Sequence, residues 1–156
     1  CKKEAMVVAT DFDSACIDSL YQRVKKEKQQ HILPLVVDLT YPSPGMGWTN
    51  AERTSFFQRK SFDLCMALAL IHHLAIAKNI SFEQLASFFA GICKELIIEF
   101  VPKNDPKVMG MLQWRKDIFE GYTEEGFEEA FENLFILKQK KDVPGSKRTM
   151  FVYQKK

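Results

Sequence analysis

Ala5-Met6-Val7-Val8-Ala9-Thr10-Asp11 is the stretch that decides the fold: an uncharged, mostly apolar run closed by a carboxylate. Such a short continuous run suits a strand buried on both faces, as in a parallel sheet, better than the alternating strand of a half-solvated one. Ile32 to Val37 repeats the pattern and is closed by Asp38. Between the two, Asp13 or Ser14 is placed to cap a helix on which Cys16, Leu20 and Val24, with Ile17 and Tyr21 alongside, recur at helical spacing. Lys25, Lys26 and Lys28 at its far end suit the helix dipole.

Downstream, Thr40 to Asn50 holds two prolines and two glycines and reads as a loop, with Asn50 expected to cap a short helix through Arg59 that buries Phe56 and Phe57. Phe62 to Ala69 is the third predicted strand, running into Leu70-Ile71-His72-His73-Leu74. Ser81 and Gln84 make a capping box ahead of a helix whose Leu85, Phe88, Phe89 and Ile92 share a stripe. Glu95 to Val101 is the fourth strand. Asp105-Pro106 starts a helix expected to reach about Phe119 and to carry Met109, Met111 and Trp114, as core residues or as one wall of a pocket. Thr123 caps a further helix with Phe127, Ala130, Phe131 and Leu134 on one face. Phe135 to Gln139 and Arg148 to Gln154, joined at Pro144-Gly145-Ser146, are too close for a parallel crossover and so form a hairpin. The order predicts an α/β fold: a mostly parallel sheet with helices on both faces and a C-terminal antiparallel hairpin.

A chain of 156 residues with 46% hydrophobic residues is read as one domain over residues 1–156. A formal net charge of +2 lacks the dense basic field of a nucleic-acid binder, so nucleic acid is not expected as a partner. Lys138, Lys140 and Lys141 read as a solvated face. Cys1, Cys16, Cys65 and Cys93 form no CxxC pair, which argues against a zinc site or a disulfide framework and fits a reducing cytoplasm. No apolar run approaches the roughly 20 residues of a membrane span, and Cys1-Lys2-Lys3-Glu4 has no signal-peptide organisation.

In an open α/β sheet, ligands sit beyond the C-terminal ends of the strands. Here those positions are Asp11 and Phe12, Asp38 and Leu39, Ala69 to His73, and Phe100 to Asn104. Asp11 is placed either to accept from the hydroxyls of a cofactor ribose or to cap the following helix. Phe12 either stacks on an adenine ring or packs in the core. Asp38 either accepts from the adenine amine or forms a turn. His72 and His73, neighbours on one helix, would point about 100° apart and could not share a metal as an i, i+4 pair does. One is expected to face a cleft as base or positioning donor while the other packs or caps. His31 reads as a surface residue.

From the second strand of that family to its end, the chain resembles the class I S-adenosylmethionine-dependent methyltransferases, which have a Rossmann-like fold. Val7-Val8-Ala9-Thr10-Asp11-Phe12-Asp13 is similar to the family's acidic ribose-binding motif, and Val36-Val37-Asp38-Leu39 to its adenine motif. Phe62 through Leu74 is similar to the motif that flanks the transferred methyl group. Pro44-Gly45-Met46-Gly47-Trp48-Thr49-Asn50 with Glu52-Arg53, and Ile97-Ile98-Glu99-Phe100-Val101-Pro102-Lys103, resemble a nodulation-methyltransferase-like bacterial subgroup. The resemblance implies S-adenosylmethionine as cofactor, held by Asp11, Phe12, Asp38, Leu39 and Ala69. It also implies His72, His73 and Glu99 as acceptor-side catalytic groups, and Trp48, Asn50, Arg53 and Trp114 as substrate contacts, with no metal. The family's glycine-rich loop has no counterpart before Ala5, so its first strand and helix, and the part of the site that holds the methionine moiety, are expected to be missing from this piece. The acceptor is a small molecule or a protein; the absence of an Asn/Asp-Pro-Pro-Tyr segment weakens the case for amino-group methylation of bases or glutamine and leaves oxygen, carbon, nitrogen and sulfur acceptors open. An NAD-dependent oxidoreductase and a silent binding module of the same fold are the competing expectations.

Overall fold

The computed structural model describes residues 5–59, 61–113 and 117–156 and divides the chain into two compact units, Cys1–Phe56 and Phe57–Lys156. In the first unit, β1 (Val7–Asp11) pairs in parallel with β2 (Ile32–Val36), Val7 lying opposite Ile32 and Asp11 opposite Val36. The crossover is α1 (Ser14–Glu27). Asp13, not Ser14, caps it, accepting from the amides of Ala15 at 2.8 Å and Cys16 at 3.4 Å. Lys28 closes the helix in the left-handed region, φ 54°, where its N–H satisfies carbonyls of the last turn. Ile17 and Val24 are buried, whereas Cys16 and Tyr21 are exposed, so the inward stripe is narrower than the apolar pattern.

The helix expected from Asn50 to Arg59 does not form. Thr49 and Asn50 have φ of 54° and 58°, whereas a helix cap needs extended backbone. Met46 and Arg53 exchange two backbone hydrogen bonds, of 2.9 and 3.1 Å, which pinches residues 46–53 into a tight loop. Single 3₁₀ turns at Trp48–Asn50 and Phe56–Gln58 stand in place of the helix, and Phe56 and Phe57 are half-buried.

In the second unit, β3 (Phe62–Ala67), β4 (Cys93–Phe100), β5 (Phe135–Asp142) and β6 (Thr149–Lys155) form one sheet in the order β3-β4-β6-β5. β3 and β4 are parallel, and β6 runs antiparallel to both β4 and β5, so the terminal hairpin places its second strand inside the sheet and its first at the edge. That edge strand carries Lys138, Lys140 and Lys141, charges that discourage pairing with another chain, and a bulge between Leu137 and Gln139. Lys140 reaches Glu124 at 2.7 Å and also pairs with Glu128.

α2 (Phe82–Ile92) begins with the predicted capping box at Ser81 and Gln84 and buries Leu85, Phe89 and Ile92, while Phe88 is half-buried edge-on to Phe57. α3 (Pro106–Leu112) is shorter than expected. Farther along, Asp117 Oδ1 accepts from Phe119 N and its carboxylate pairs with Lys103, a turn that competes with helix. α4 (Glu124–Glu132) is capped by Thr123; its Phe127, Ala130 and Phe131 are buried, and Leu134 falls outside it and is exposed. The core is aromatic: Phe127 packs within 5.5 Å, centroid to centroid, of Phe82, Phe100, Phe131 and Phe151. Among the described residues no helix is long and apolar enough to cross a membrane.

Candidate functional site

The first unit presents both strand-end carboxylates at one rim. Asp11 is the last residue of β1, opposite Val36, and Asp38 lies two residues beyond the end of β2. Parallel neighbours are about 4.8 Å apart, so both carboxylates belong to the C-terminal edge of the same strand pair. The duties of the acidic stretch are divided. Asp13 caps the helix, and the amides it accepts from hold its carboxyl below the usual value. Asp11 stays exposed, its Oδ1 accepting from Asp13 N at 3.0 Å. Phe12 is 75% exposed, so it is not a core residue of this unit. Asp38 accepts from both the amide and the hydroxyl of Thr40, at 2.8 and 2.7 Å, a local turn that leaves the residue exposed and fixes its direction; Leu39 is half-buried. In the pinched loop, Trp48, Asn50 and Arg53 are all exposed, Trp48 to 82%. Gly47 has φ 85°, and a Cβ there would overlap the Glu52 side chain at 2.3 Å, so the loop requires glycine at that point.

The second unit builds a separate cluster where β3 and β4 end. Strand β3 stops at Ala67, and Ala69 turns the chain through the left-handed region, φ 49°. Its amide donates to Glu99 Oε2 at 2.5 Å. Leu70 to Ala77 then forms a tight turn and one turn of π-helix that carries the two histidines. The structure separates their roles: His72 is 1% exposed, with Nδ1 lacking a hydrogen-bond partner, and His73 is exposed. Their rings lie 4.2 Å apart. Burial, then the neighbouring His73, Arg148 and Lys107, push the His72 imidazole down to about 4, with Asp105 pulling the other way.

Glu99 is buried on β4, and besides the Ala69 amide it meets Arg148, whose Nη1 lies 3.4 Å from its Oε1. Arg148 Nε donates to the buried Asp105 Oδ2 at 2.8 Å, and Asp105 Oδ1 caps α3 at Lys107 N, 2.9 Å. The guanidinium holds the Asp105 carboxyl below its ordinary value. An open cleft of about 530 Å³ lies against this triad, with Asn104, Ser146 and Lys147 also on its walls. Sequence singled out neither Arg148 nor Asp105 as a site residue. Asp105 read as a helix cap and Arg148 as a strand start, and their contact spans 43 positions. Trp114 lies outside the described residues.

No family model matches the chain. Over 148 residues, 95% of its length, it is 38% identical to nodulation protein NoeA of Rhizobium meliloti strain 1021, and it spans 31% of that protein. Among solved structures, the bifunctional kinase-methyltransferase WbdD matches 96% of the chain and 30% of its own at a TM-score of 0.63 and 16% identity. An rRNA methylase from Escherichia coli matches 97% of the chain and 49% of its own at a TM-score of 0.58 and 15% identity. The chain has a class I methyltransferase-like fold. A third neighbour, the PH0226 protein from Pyrococcus horikoshii OT3, matches 97% of the chain and 72% of its own at a TM-score of 0.61 and 15% identity. The terminal hairpin expected of that fold is present as β5 and β6.

Proposed function

We propose that this chain carries part of an S-adenosylmethionine-dependent methyltransferase, in which Asp11 and Asp38 hold the nucleoside half of the cofactor. The observation that carries the reading is the pair of exposed carboxylates at the C-terminal ends of adjacent parallel strands, Asp11 closing β1 and Asp38 two residues beyond β2. Carboxylates there suit two different parts of one nucleoside. Asp11 accepts from the ribose hydroxyls, and Asp38, aimed by Thr40, accepts from the adenine amine. Phe12 offers an exposed ring for the adenine face, with Leu39 as its apolar neighbour. These residues fit the nucleoside; Ala69 is assigned a further contact by resemblance.

Bound, the cofactor supplies an electrophilic methyl group on a sulfonium. The protein's task is to orient the acceptor and, where needed, remove its proton. Exposed His73 suits the proton-accepting role. Buried His72 is held neutral and suits packing and positioning. Glu99 has both oxygens engaged, which favours a supporting role over that of a base. Trp48, Asn50 and Arg53 on the pinched loop, and Trp114, are assigned to the acceptor, a small molecule or a protein in the cytoplasm.

The test is calorimetric titration of the full-length protein with S-adenosylhomocysteine and, separately, with NAD. Binding of the first and not the second is expected. Asp11→Ala should weaken it at least about tenfold, since one charge-assisted hydrogen bond contributes about 1.5–3 kcal/mol. Equal affinity in parent and variant removes Asp11 from the site, and preference for NAD removes methyl transfer.

A further inference from the structure

We propose that Arg148 is a positioning residue: through Glu99 it holds the left-handed turn at Ala69, and with it the start of the segment that carries His72 and His73. The inference rests on the methyl-transfer reading for its purpose, but its geometry lies wholly within the second unit. A non-glycine residue at φ 49° persists only where its surroundings over-determine it. At Ala69 the surroundings supply one strong contact, the charge-assisted hydrogen bond from its amide to Glu99 Oε2.

Glu99 is 7% exposed, and burying a carboxyl group that deep is costly unless its oxygens meet a countercharge and hydrogen-bond donors. Arg148 Nη1 faces its free oxygen at 3.4 Å, while Nε of the same guanidinium holds Asp105 at 2.8 Å. Asp105 in turn fixes the first turn of α3 through Lys107 N. One planar cation therefore ties together the end of β4, the start of α3 and the end of the hairpin turn, and Glu99 passes that restraint to the chain leaving β3. Two carboxylates face one guanidinium, and the surplus negative charge is met by the amides of Ala69 and Lys107. Apolar residues of similar volume would hold the sheet as well or better, so an ionic triad beside an open cleft is expensive unless direction matters. Lysine, a point charge, cannot reproduce the two-sided fork.

Amide exchange and chemical shift in ¹⁵N-labelled full-length protein, combined with titration by S-adenosylhomocysteine, test this. In Arg148→Met the Ala69 amide should move upfield and exchange at least tenfold faster, while Leu96 and Ile98 within β4 keep their parent rates. Arg148→Lys should fall between parent and Arg148→Met, and it decides the matter if Arg148→Met fails to fold. Glu99→Gln, which still offers Ala69 an acceptor oxygen but no charge, should show exchange faster than the parent and slower than Arg148→Met. An Ala69 amide with parent shift and rate in a folded Arg148 variant overturns the clamp. If the parent itself does not bind S-adenosylhomocysteine, the methyl-transfer purpose falls, and the amide data still decide whether Arg148 sets the turn.

Discussion

Acidification should destabilise this protein through His72 as pH falls from 6.5 towards 4. The His72 ring is 1% exposed, and burial, with His73, Arg148 and Lys107 nearby and Asp105 opposing them, lowers its pKa from 6.5 to about 4. The unfolded chain takes up a proton across that window that the folded chain refuses. The folded pKa lies below the unfolded one, so this contribution is complete above pH 6.5 and is lost progressively as pH falls towards 4. At about 1.4 kcal/mol per pKa unit, the loss is bounded at about 3 kcal/mol, a large share of a typical domain's stability. Asp105, whose pKa is also lowered, adds its own loss only as pH falls below 3.8, so the two windows separate. Urea unfolding midpoints of parent and His72→Leu at pH 7, 6, 5 and 4.5 provide the assay. The parent should weaken steadily between pH 6.5 and 4.5. The variant, which lacks the titrating ring and its unpartnered Nδ1, should stay nearly flat. A parent with constant stability over that range, or a variant with the same slope, refutes the argument.

Two stability measurements probe the scaffold. Ser81→Ala removes the hydroxyl that accepts from Gln84 N and breaks the capping box of α2, so thermal unfolding should report a loss of about 1 kcal/mol. Phe127→Ala empties the centre of the aromatic core, where the ring is 0% exposed; a loss of about 3–5 kcal/mol is expected in chemical denaturation, and a loss below about 1 kcal/mol would mean that the ring is not central.

Expectation and structure part where backbone geometry is decided by contacts rather than by local pattern. Asn50 is a good cap residue by type, yet the bridge between Met46 and Arg53 holds it at positive φ and no helix follows. The Asp105-Pro106 start promised a helix to about Phe119, and the turn at Asp117, anchored by Lys103, lies where its last turn was expected. Leu134 continues the helical spacing of α4, but the helix ends at Glu132 and the side chain faces solvent.

The sequence alone determined the order of the strands, the helices that follow β1, Ser81 and Thr123, and the two aspartates closing successive strands, because apolar period, capping chemistry and loop length act over a few residues and are written locally. The same is true of the terminal hairpin, whose short connection leaves no room for a crossover. Tertiary structure alone decided which histidine is buried, how Ala69 turns the chain, and that Glu99 belongs to a triad with Arg148 and Asp105. Those outcomes depend on partners 30 to 49 positions apart, and the energy of a buried charge is fixed by what surrounds it in space rather than by its neighbours along the chain.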